Sequence, residues 1–381
     1  MVSTTKADTT ITKDAINAWK TSPPFTPYFH QTGYVVATTG RAPRKAVEHL
    51  EKALSSVQAD PHFAKGIKRL SGPEDFKDYT WQYSGPLTGF SGYYNRLAGY
   101  AHSADALKGI WEVCAGMGVR FVLGEEKGRA ERLVYEEGKC VGVRTADGET
   151  HKAELVICAL GAHGASLLPG LGKFVVARCW SVAHVQLSED EADFLRGIPT
   201  TNVRDLGFFF EPDPKTRLFK LCPLGIGYTN TGAEGVSLPP PGRLPPPQDY
   251  IPAEDERKLR QLLRETFPWM ADRPFVEQKL CWFADTADSE YCIDYVPGTE
   301  KSVVVLSGDS GHGFKMMPVF GKWVCELLER GEQSLSRWQW KSPVEVDANW
   351  GDAVSWRIGQ GGELKELLQA QAQEKILRAR L

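Results

Sequence analysis

Several features that mark whole classes of proteins are missing from this sequence of 381 residues. No apolar run approaches the roughly 18 residues of a membrane-spanning helix, and no signal-peptide pattern opens the chain. The net charge of -3 provides no basic footprint for nucleic acid. The cysteines form no CxxC pair, and the histidines are equally dispersed. We therefore expect no nucleic-acid partner, no membrane partner and no metal, and buried thiols that stay reduced.

A dinucleotide-binding fingerprint is missing as well. The segment "TGYVVATTG" predicts a strand, and "RAPRKAVEHLEKALSSV" after it predicts a helix. The turn between them lacks the GxGxxG spacing, and Pro43 lies there among three basic residues. Such a turn makes a poor cradle for phosphate, so we assign no nucleotide site to it.

What the sequence does contain is typical of a soluble α/β protein, and its length suits two domains or one large α/β domain with an insertion. The hydrophobic fraction is 42% and the charged fraction 24%. Leu155–Leu160 is a continuous apolar run, as expected of a parallel strand buried on both faces, and it ends at Gly161 and Ala162. Such a strand end is where an open α/β sheet binds ligands, although a simple tight turn explains it equally well. Residues 119–124 predict another strand.

The middle of the chain predicts a different order of secondary-structure elements. Residues 176–277 are rich in short strands without βαβ alternation, which predicts an antiparallel sheet and a second domain. The last third returns to α/β character, with the strand "KSVVVL" leading into "SGDSGHGFKMMP" (307–318) and then a helix. Glycines this dense indicate that the backbone approaches a flat or charged group.

Several stretches together resemble the fructosyl amino acid oxidases (amadoriases) and monomeric sarcosine oxidases, a family of FAD-dependent amine oxidases. The most specific is 281–331, where "CWFADTADSEYCIDYVP" is followed by "VVVLSGDSGHGFKMMPVFGKWVCELLERG". The segments "GYYNRLAGYAHSADAL", "GFFFEPD…GYTN" and "NWGDAVSWRIGQGG" also match, so the resemblance spans nearly the whole chain.

The resemblance implies a two-domain α/β (α+β) fold of the glycine/D-amino-acid oxidase type. An incomplete Rossmann-like FAD-binding domain would comprise 94–175 and 278–350, and an antiparallel-sheet substrate domain 15–93 and 176–277, with a tail at 351–381. The family's N-terminal strand, GxGxxG turn and helix have no counterpart in this sequence, whose first residues resemble a segment C-terminal to that unit. We therefore expect the FAD domain to lack its central strand, and Met1 to be an internal methionine of a longer protein.

The resemblance also implies roles for individual residues. Lys315 would be catalytic, standing near the flavin N5 where a cation favours superoxide formation from O2. Cys281 aligns with the cysteine that carries the flavin through a thioether, the alternative being an ordinary strand cysteine. The cofactor-binding residues implied are Cys281, Gly161, Ala162, Gly308, Gly311, His312, Gly313, Phe314 and Lys315.

The substrate pocket departs from the amadoriase pattern. Leu224 occupies the place of the glutamate that contacts the sugar in that family, which argues against fructosyl amino acids. Phe210, in an aromatic run, suits a more apolar amine, and Arg357 resembles the arginine that holds the substrate carboxylate. We expect an oxidase that converts a secondary amine or N-substituted amino acid to an imine and O2 to H2O2. A true amadoriase and a non-catalytic remnant are the alternatives.

The final residues Ala379-Arg380-Leu381 resemble the Ser-Lys-Leu peroxisomal address, which suits an enzyme that releases H2O2. The alternative is an ordinary charged helix end in a cytoplasmic protein. We expect a monomer whose partners are a small-molecule amine and O2.

Overall fold

The computed structural model describes residues 6–240, 250–344, 350, 357–359 and 361–378. In these ranges the helices are α1 (Lys6–Thr21), α2 (Arg44–Ala59), α3 (Pro61–Ala64), α4 (Pro73–Tyr79), α5 (Ser103–Gly116), α6 (Gly164–Leu167), α7 (Glu189–Phe194), α8 (Ala253–Thr266), α9 (Met317–Arg330) and α10 (Leu364–Arg378). The first strands are β1 (Phe29–His30), β2 (Tyr34–Thr38), β3 (Ile67–Leu70), β4 (Ser91–Asn95), β5 (Tyr100–Ala101), β6 (Ala130–Glu136), β7 (Lys139–Thr145), β8 (Thr150–Lys152) and β9 (Val156–Cys158). The later strands are β10 (Val175–Gln186), β11 (Thr200–Val203), β12 (Gly207–Phe209), β13 (Leu218–Pro223), β14 (Tyr228–Thr229), β15 (Val276–Thr286), β16 (Cys292–Tyr295), β17 (Val303–Ser307) and β18 (Gly362–Glu363).

A ten-stranded sheet forms the centre of the molecule. Its strands run in the order β18-β14-β10-β13-β12-β11-β2-β4-β3, and β15 pairs with β10 along the opposite edge of that strand. Most neighbours are antiparallel, whereas β11 with β2 and β14 with β18 are parallel. One face of the sheet is covered by α8, whose Leu259, Leu262 and Leu263 are fully buried in the largest apolar core. The helix is therefore held by a single apolar stripe of the kind that 3.6-residue periodicity creates.

Two smaller sheets lie outside it. One has the order β16-β17-β9, with β17 and β9 parallel, and the other is the antiparallel meander β6-β7-β8. The parallel pairing expected for the apolar run at 155–160 is thus present. Strands from 176–277 fall in the large sheet, whereas β9 and β17 join each other across that insertion. The predicted domain limits are compatible with this grouping of the strands and remain a prediction.

Two details of the expected strands are wrong. The run at 155–160 forms only the three residues of β9, and Ile157 is 45% exposed because β9 is an edge strand, so it is not buried on both faces. Residues 119–124 form no strand, and Leu123 there is 68% exposed. Within the described ranges no strand pairs with this stretch, so its backbone N–H and C=O groups have no ladder to join.

The thiols also differ in part from expectation. All the cysteines are free, but Cys281 and Cys325 are exposed and Cys114 is half-buried, while the other five are buried. No described helix has the length and apolar character that crossing a bilayer requires.

Candidate active site

A cavity of about 830 Å³ lies over the face of the large sheet opposite α8. Successive side chains of a strand point to opposite faces, so alternate residues of neighbouring strands line the cavity floor. Across the sheet these are Glu277, Lys279 and Cys281 of β15, Trp180, Val182 and His184 of β10, Lys220 and Cys222 of β13, Phe208 of β12, and Thr200 and Asn202 of β11. The volume falls in the range of about 300–1,000 Å³ typical of small-molecule sites.

The roof of the cavity is made by α1 and by the glycine-rich turn between β17 and α9. Trp19 of α1 is 3% exposed, and its indole Nε1 donates to the backbone carbonyl of Lys315 at 2.7 Å. The Trp19 ring also lies 5.8 Å from the ring of Phe314. The turn is thereby attached to a helix from the other end of the chain.

The three central glycines of this turn are required by packing within the protein. A Cβ on Gly311, where φ is +73°, would lie 2.4 Å from the Trp180 ring. A Cβ on Gly308, where φ is +76°, would lie 2.8 Å from the carbonyl oxygen of Glu290. A Cβ on Gly313 would lie 2.7 Å from Cβ of Asp309. Each position therefore excludes larger residues even before a ligand is considered.

Asp309 fixes the turn against β15. Its carboxylate accepts from the backbone N–H of Ala284 at 2.8 Å and from that of Gly311 at 3.2 Å. Burial raises the pKa of Asp309 to about 6, and these two hydrogen bonds only partly offset that effect. The turn thus has a carboxyl group that titrates near neutral pH at the cavity wall.

His312 is held as a neutral ring. Its Nε2 lies 3.0 Å from the carbonyl oxygen of Ser289 and its Nδ1 lies 3.0 Å from the hydroxyl of Tyr291. Nε2 therefore donates while Nδ1 accepts, which one neutral tautomer satisfies. Burial, followed by the charge of Lys315, lowers the pKa of His312 to about 3.

Cys281, Phe314 and Lys315, three of the expected cofactor contacts, face the same cavity. Cys281 is an exposed thiol on β15, beside Trp180 of β10 in the register. Lys315 is half-buried in the short 3-10 turn Phe314–Met316. Gly311, His312 and Gly313 line the cavity too, so two segments predicted separately meet at one place.

Gly308, Gly161 and Ala162 do not line the cavity. Gly308 packs on the backbone of Glu290 and Cys292, where the chain enters β16. Gly161 and Ala162 form part of the 3-10 turn Gly161–His163 after β9, and a Cβ on Gly161 would meet nothing within 4 Å. The residues expected near the FAD pyrophosphate therefore lie apart from the cavity.

Two of the expected substrate residues line the cavity. The ring of Phe210 lies 5.6 Å from that of Phe208 and 5.6 Å from that of Tyr100. Leu224 also faces the cavity, and its carbonyl accepts from Nζ of Lys258 at 3.2 Å. This part of the wall has an apolar character.

Arg357, the third, is placed elsewhere. It is 1% exposed, does not line the cavity, and pairs with Asp285, which is fully buried. Arg178 lies 3.3 Å from the same carboxylate, and Trp350 donates to it at 2.8 Å. In this arrangement the guanidinium holds the C-terminal segment to β15, so a contact with substrate would require the pair with Asp285 to open.

Sequence reasoning missed the polar side chains on β11 and just after it. Thr200, Asn202 and Arg204 line the cavity and are 4%, 8% and 3% exposed, respectively. Their alternation in "TTNVR" was the available signal, because period-two spacing places all three on one face. The sequence alone does not say that this face borders a cavity.

The residues around the cavity fit the ring system of a flavin. A flat apolar wall (Trp180, Phe208, Phe314), a thiol and a cation lie around one space large enough for a ring system and a second molecule. The cavity accounts for the flavin ring of FAD but not for its pyrophosphate, because the turn at Gly161 lies apart from the cavity.

Comparison with known proteins agrees with this chemistry. Residues 11–327 match the family model described as DAO, FAD dependent oxidoreductase. L-saccharopine oxidase of Schizosaccharomyces pombe is 28% identical over 350 residues, covering 86% of this chain and 78% of that protein. Amino acid oxidase imqH of Aspergillus flavus is 31% identical over 230 residues, which cover 52% of this chain and 48% of that protein.

Solved structures agree as well. The crystal structure of fructosamine oxidase (Amadoriase II) from Aspergillus fumigatus has a TM-score of 0.78 and 30% identity, covering 94% of this chain and 81% of that one. The structure of a fructosyl peptide oxidase has a TM-score of 0.83 and 25% identity, over 95% of this chain and 84% of that one. The chain belongs to the DAO family of FAD-dependent oxidoreductases, which confirms the resemblance noted in the sequence.

Proposed function

We propose that the cavity holds the flavin ring of FAD beside Cys281 and Lys315, and that the protein oxidises the C–N bond of a secondary amine or N-substituted amino acid. The product would be an imine, with O2 reduced to H2O2. The observation that carries this proposal is the convergence of Cys281, Lys315 and the glycine-rich turn on one cavity. FAD, when bound, would supply the acceptor for hydride and the route of electrons to O2.

The residues of the chain would prepare the amine for this reaction. Phe208, Phe210 and Trp180 give the cavity an apolar wall, and burial among such groups favours the uncharged form of an amine. The uncharged amine is the form whose lone pair assists loss of hydride from the adjacent carbon. Lys315 would place a positive charge at the reacting edge of the ring, where negative charge develops.

The absence of a carboxylate at position 224 supports a substrate without a sugar. Leu224 lines the cavity and presents no hydrogen-bonding side chain to sugar hydroxyls. Release of H2O2 should therefore be faster with N-methyl, cyclic or aromatic secondary amines than with fructosyl-glycine. The opposite order of rates would instead support an amadoriase, a second candidate favoured by the likeness to Amadoriase II.

Attachment of the flavin is tested by colour. The purified protein should absorb in the flavin range, and the colour should stay in the acid-precipitated pellet if Cys281 carries the ring. Cys281→Ser should release the colour to the supernatant, whereas Cys325→Ser, an exposed thiol on α9 away from the cavity, should not. Protein that stays colourless after addition of FAD would support a non-catalytic remnant.

We further propose that the protein acts as a monomer and is directed to peroxisomes by Ala379-Arg380-Leu381, residues that lie outside the described ranges. A product that needs catalase nearby supports that location. Adding one residue after Leu381 should leave a fluorescently tagged protein in the cytosol. An unchanged location would remove this part of the proposal.

A further inference from the structure

One side of the cavity holds a buried cation to which the described residues supply no counter-charge. Arg204 follows β11 directly, is 3% exposed and lines the cavity. In the described part of the chain its guanidinium forms no ion pair, and its Nε and Nη2 atoms have no hydrogen-bond partner. A charged group is rarely left buried in this way, since removing it from water without a partner costs several kcal/mol.

The side chains beside Arg204 on the strand are unsatisfied too. Thr200 and Asn202 point to the same face of β11, and the Thr200 hydroxyl and the Asn202 carbonyl oxygen are buried without a hydrogen-bond partner. Thr200 can donate through its hydroxyl to a negatively charged group, whereas the unpartnered atom of Asn202 is an acceptor and its side chain is already hydrogen-bonded to Tyr34. Arg204 and Thr200 therefore have unused donors at the cavity.

The groups that face Arg204 from neighbouring elements are neutral. Burial raises the pKa of Tyr34 and of Tyr93, and in both cases the charge of Arg204 opposes that shift without cancelling it. Burial, then the charge of Arg204, lowers the pKa of His49 to about 3. The acid next in sequence, Asp205, accepts from the backbone N–H and the hydroxyl of Thr39. Described residues thus provide no carboxylate to balance Arg204.

We propose that Arg204, with Thr200, forms a subsite for a carboxylate carried at the far end of the substrate. Nε and Nη2 lie on one edge of the guanidinium, where their parallel N–H bonds match the two oxygens of a carboxylate. Both atoms are buried although the residue lines the cavity, so binding would include a turn of the Arg204 side chain toward the ligand. The bound carboxylate would supply the missing charge and both missing acceptors.

The position of this subsite defines the substrate class. Four strand spacings separate β15, which carries Cys281, from β11, and at 4.7–4.9 Å each they amount to roughly 19 Å along the sheet. Phe208 and Phe210 line the cavity on and after β12, between the two ends. A substrate that reacts at a flavin ring near Cys281 and also reaches Arg204 has an extended apolar middle and an anionic end. The inference rests on the proposed oxidase function only where it states that the other end of the substrate reacts at the flavin; the carboxylate subsite does not depend on that function.

A pair of unreactive probes separates the subsite from the oxidase chemistry. Heptanoate and heptanamide have the same length and differ in charge at one end, and neither contains an oxidisable amine. Calorimetric titration of the full chain should show heptanoate binding and much weaker binding of heptanamide. Binding of both probes with equal affinity, or of neither, would overturn the subsite whether or not the protein oxidises amines.

Variants locate the binding. Arg204→Met should weaken heptanoate binding roughly 10- to 100-fold, as expected for the loss of a charge-assisted hydrogen-bond pair, and leave heptanamide unaffected. The matched control is Lys279→Met, which removes an exposed cavity cation on β15 and should leave heptanoate binding within about twofold. An equal loss in both variants, or no loss in Arg204→Met, would contradict the assignment.

A second variant tests the carboxylate subsite if Arg204→Met does not fold. Thr200→Val keeps the shape of the side chain and removes its hydroxyl, so it should weaken heptanoate binding roughly threefold to tenfold. The same loss should appear when the Thr200→Val protein turns over a long-chain N-methylamino carboxylate and the matching amide: KM for the carboxylate should rise, while kcat changes little. Unaltered heptanoate affinity in Thr200→Val would exclude this hydroxyl from the subsite.

Discussion

Gly311 illustrates how one residue can be constrained from inside the protein. Its positive φ and the Trp180 ring 2.4 Å from the position of a Cβ leave room only for hydrogen. Trp180 is itself fixed, because its indole Nε1 donates to the carbonyl of Gly225 at 3.1 Å and its ring lies 4.5 Å from that of Phe283. The ring cannot yield without losing these contacts.

Gly311→Ala should therefore destabilise the protein by roughly 1–3 kcal/mol, through backbone strain and overpacking. Gly321→Ala is the matched control, since a Cβ at this exposed position in α9 meets nothing within 4 Å. It should stabilise the helix by about 0.5–1 kcal/mol. Urea unfolding of both variants measures the difference, and equal effects would show that Trp180 does not constrain position 311.

Asp309 gives the protein a pH dependence of stability. Its pKa in the folded state, about 6, lies above the ordinary value of 3.8, so folding favours the protonated form. The stabilisation is fully present below about pH 4 and is lost as the pH rises through 6. The gap between the two pKa values corresponds to roughly 3 kcal/mol at most.

Asp309→Asn should flatten this part of the profile, since an amide does not titrate. The free energy of unfolding of the wild type, measured from pH 4 to pH 7.5, should fall relative to that of the variant by up to about 3 kcal/mol. Parallel profiles would mean that Asp309 titrates at the same pH in the folded and unfolded chains.

At the scale of elements, α1 has the unexpected task of holding the glycine-rich turn. Trp19→Phe removes the hydrogen bond to the Lys315 carbonyl and part of a buried ring, so it should cost roughly 1–3 kcal/mol. Trp269→Phe, at a position that is 37% exposed, should cost less than about 1 kcal/mol. Thermal unfolding of the two variants compares them, and similar losses would show that the contact of α1 with the turn contributes little.

Elements with a local signal were predictable from the sequence. The strand, turn and helix around 303–330 follow from β-branched residues and glycines that are adjacent in the sequence. The failed strand at 119–124 and the short β9 have the apolar residues but lack strand partners, and pairing is a non-local property.

The residues of the candidate site likewise fall into a group that a local sequence motif predicts and a group that only the fold brings together. Cys281 and Lys315 were found because they lie in a dense motif, and the cavity includes both. Arg204 and Trp19 lie in segments without a motif, and only the folded sheet and helix bring them to the cavity. The placement of Arg357 beside Asp285 could not be read from sequence either, since its partner lies 72 residues away.

At the scale of the whole molecule, a buried ionic cluster joins the C-terminal segment to the central sheet. Asp285 is fully buried between Arg178 of β10 and Arg357. Asp285→Asn keeps the shape but removes the buried carboxylate that Arg178 and Arg357 share, so it should cost roughly 3–5 kcal/mol.

The control for this change is Asp288→Asn, which breaks a pair with Lys341 in which the carboxylate is 49% exposed. That substitution should cost less than about 1 kcal/mol. Guanidinium unfolding distinguishes the two, and a small effect at both positions would show that the buried cluster adds no net stability.

The central strand β10 has partners from distant parts of the chain, and this affects how the protein folds. It pairs with β15, and β14 beside it pairs with β18, whose residue Gly362 is 133 residues from its contact Thr229. Sheets built from such distant pairings fold slowly, because long loops must close before any contact stabilises them. During synthesis the floor of the cavity lacks β15 until residue 286 has emerged, and the sheet edge waits for residue 363. The flavin should accordingly be taken up only after residue 363 has been synthesised.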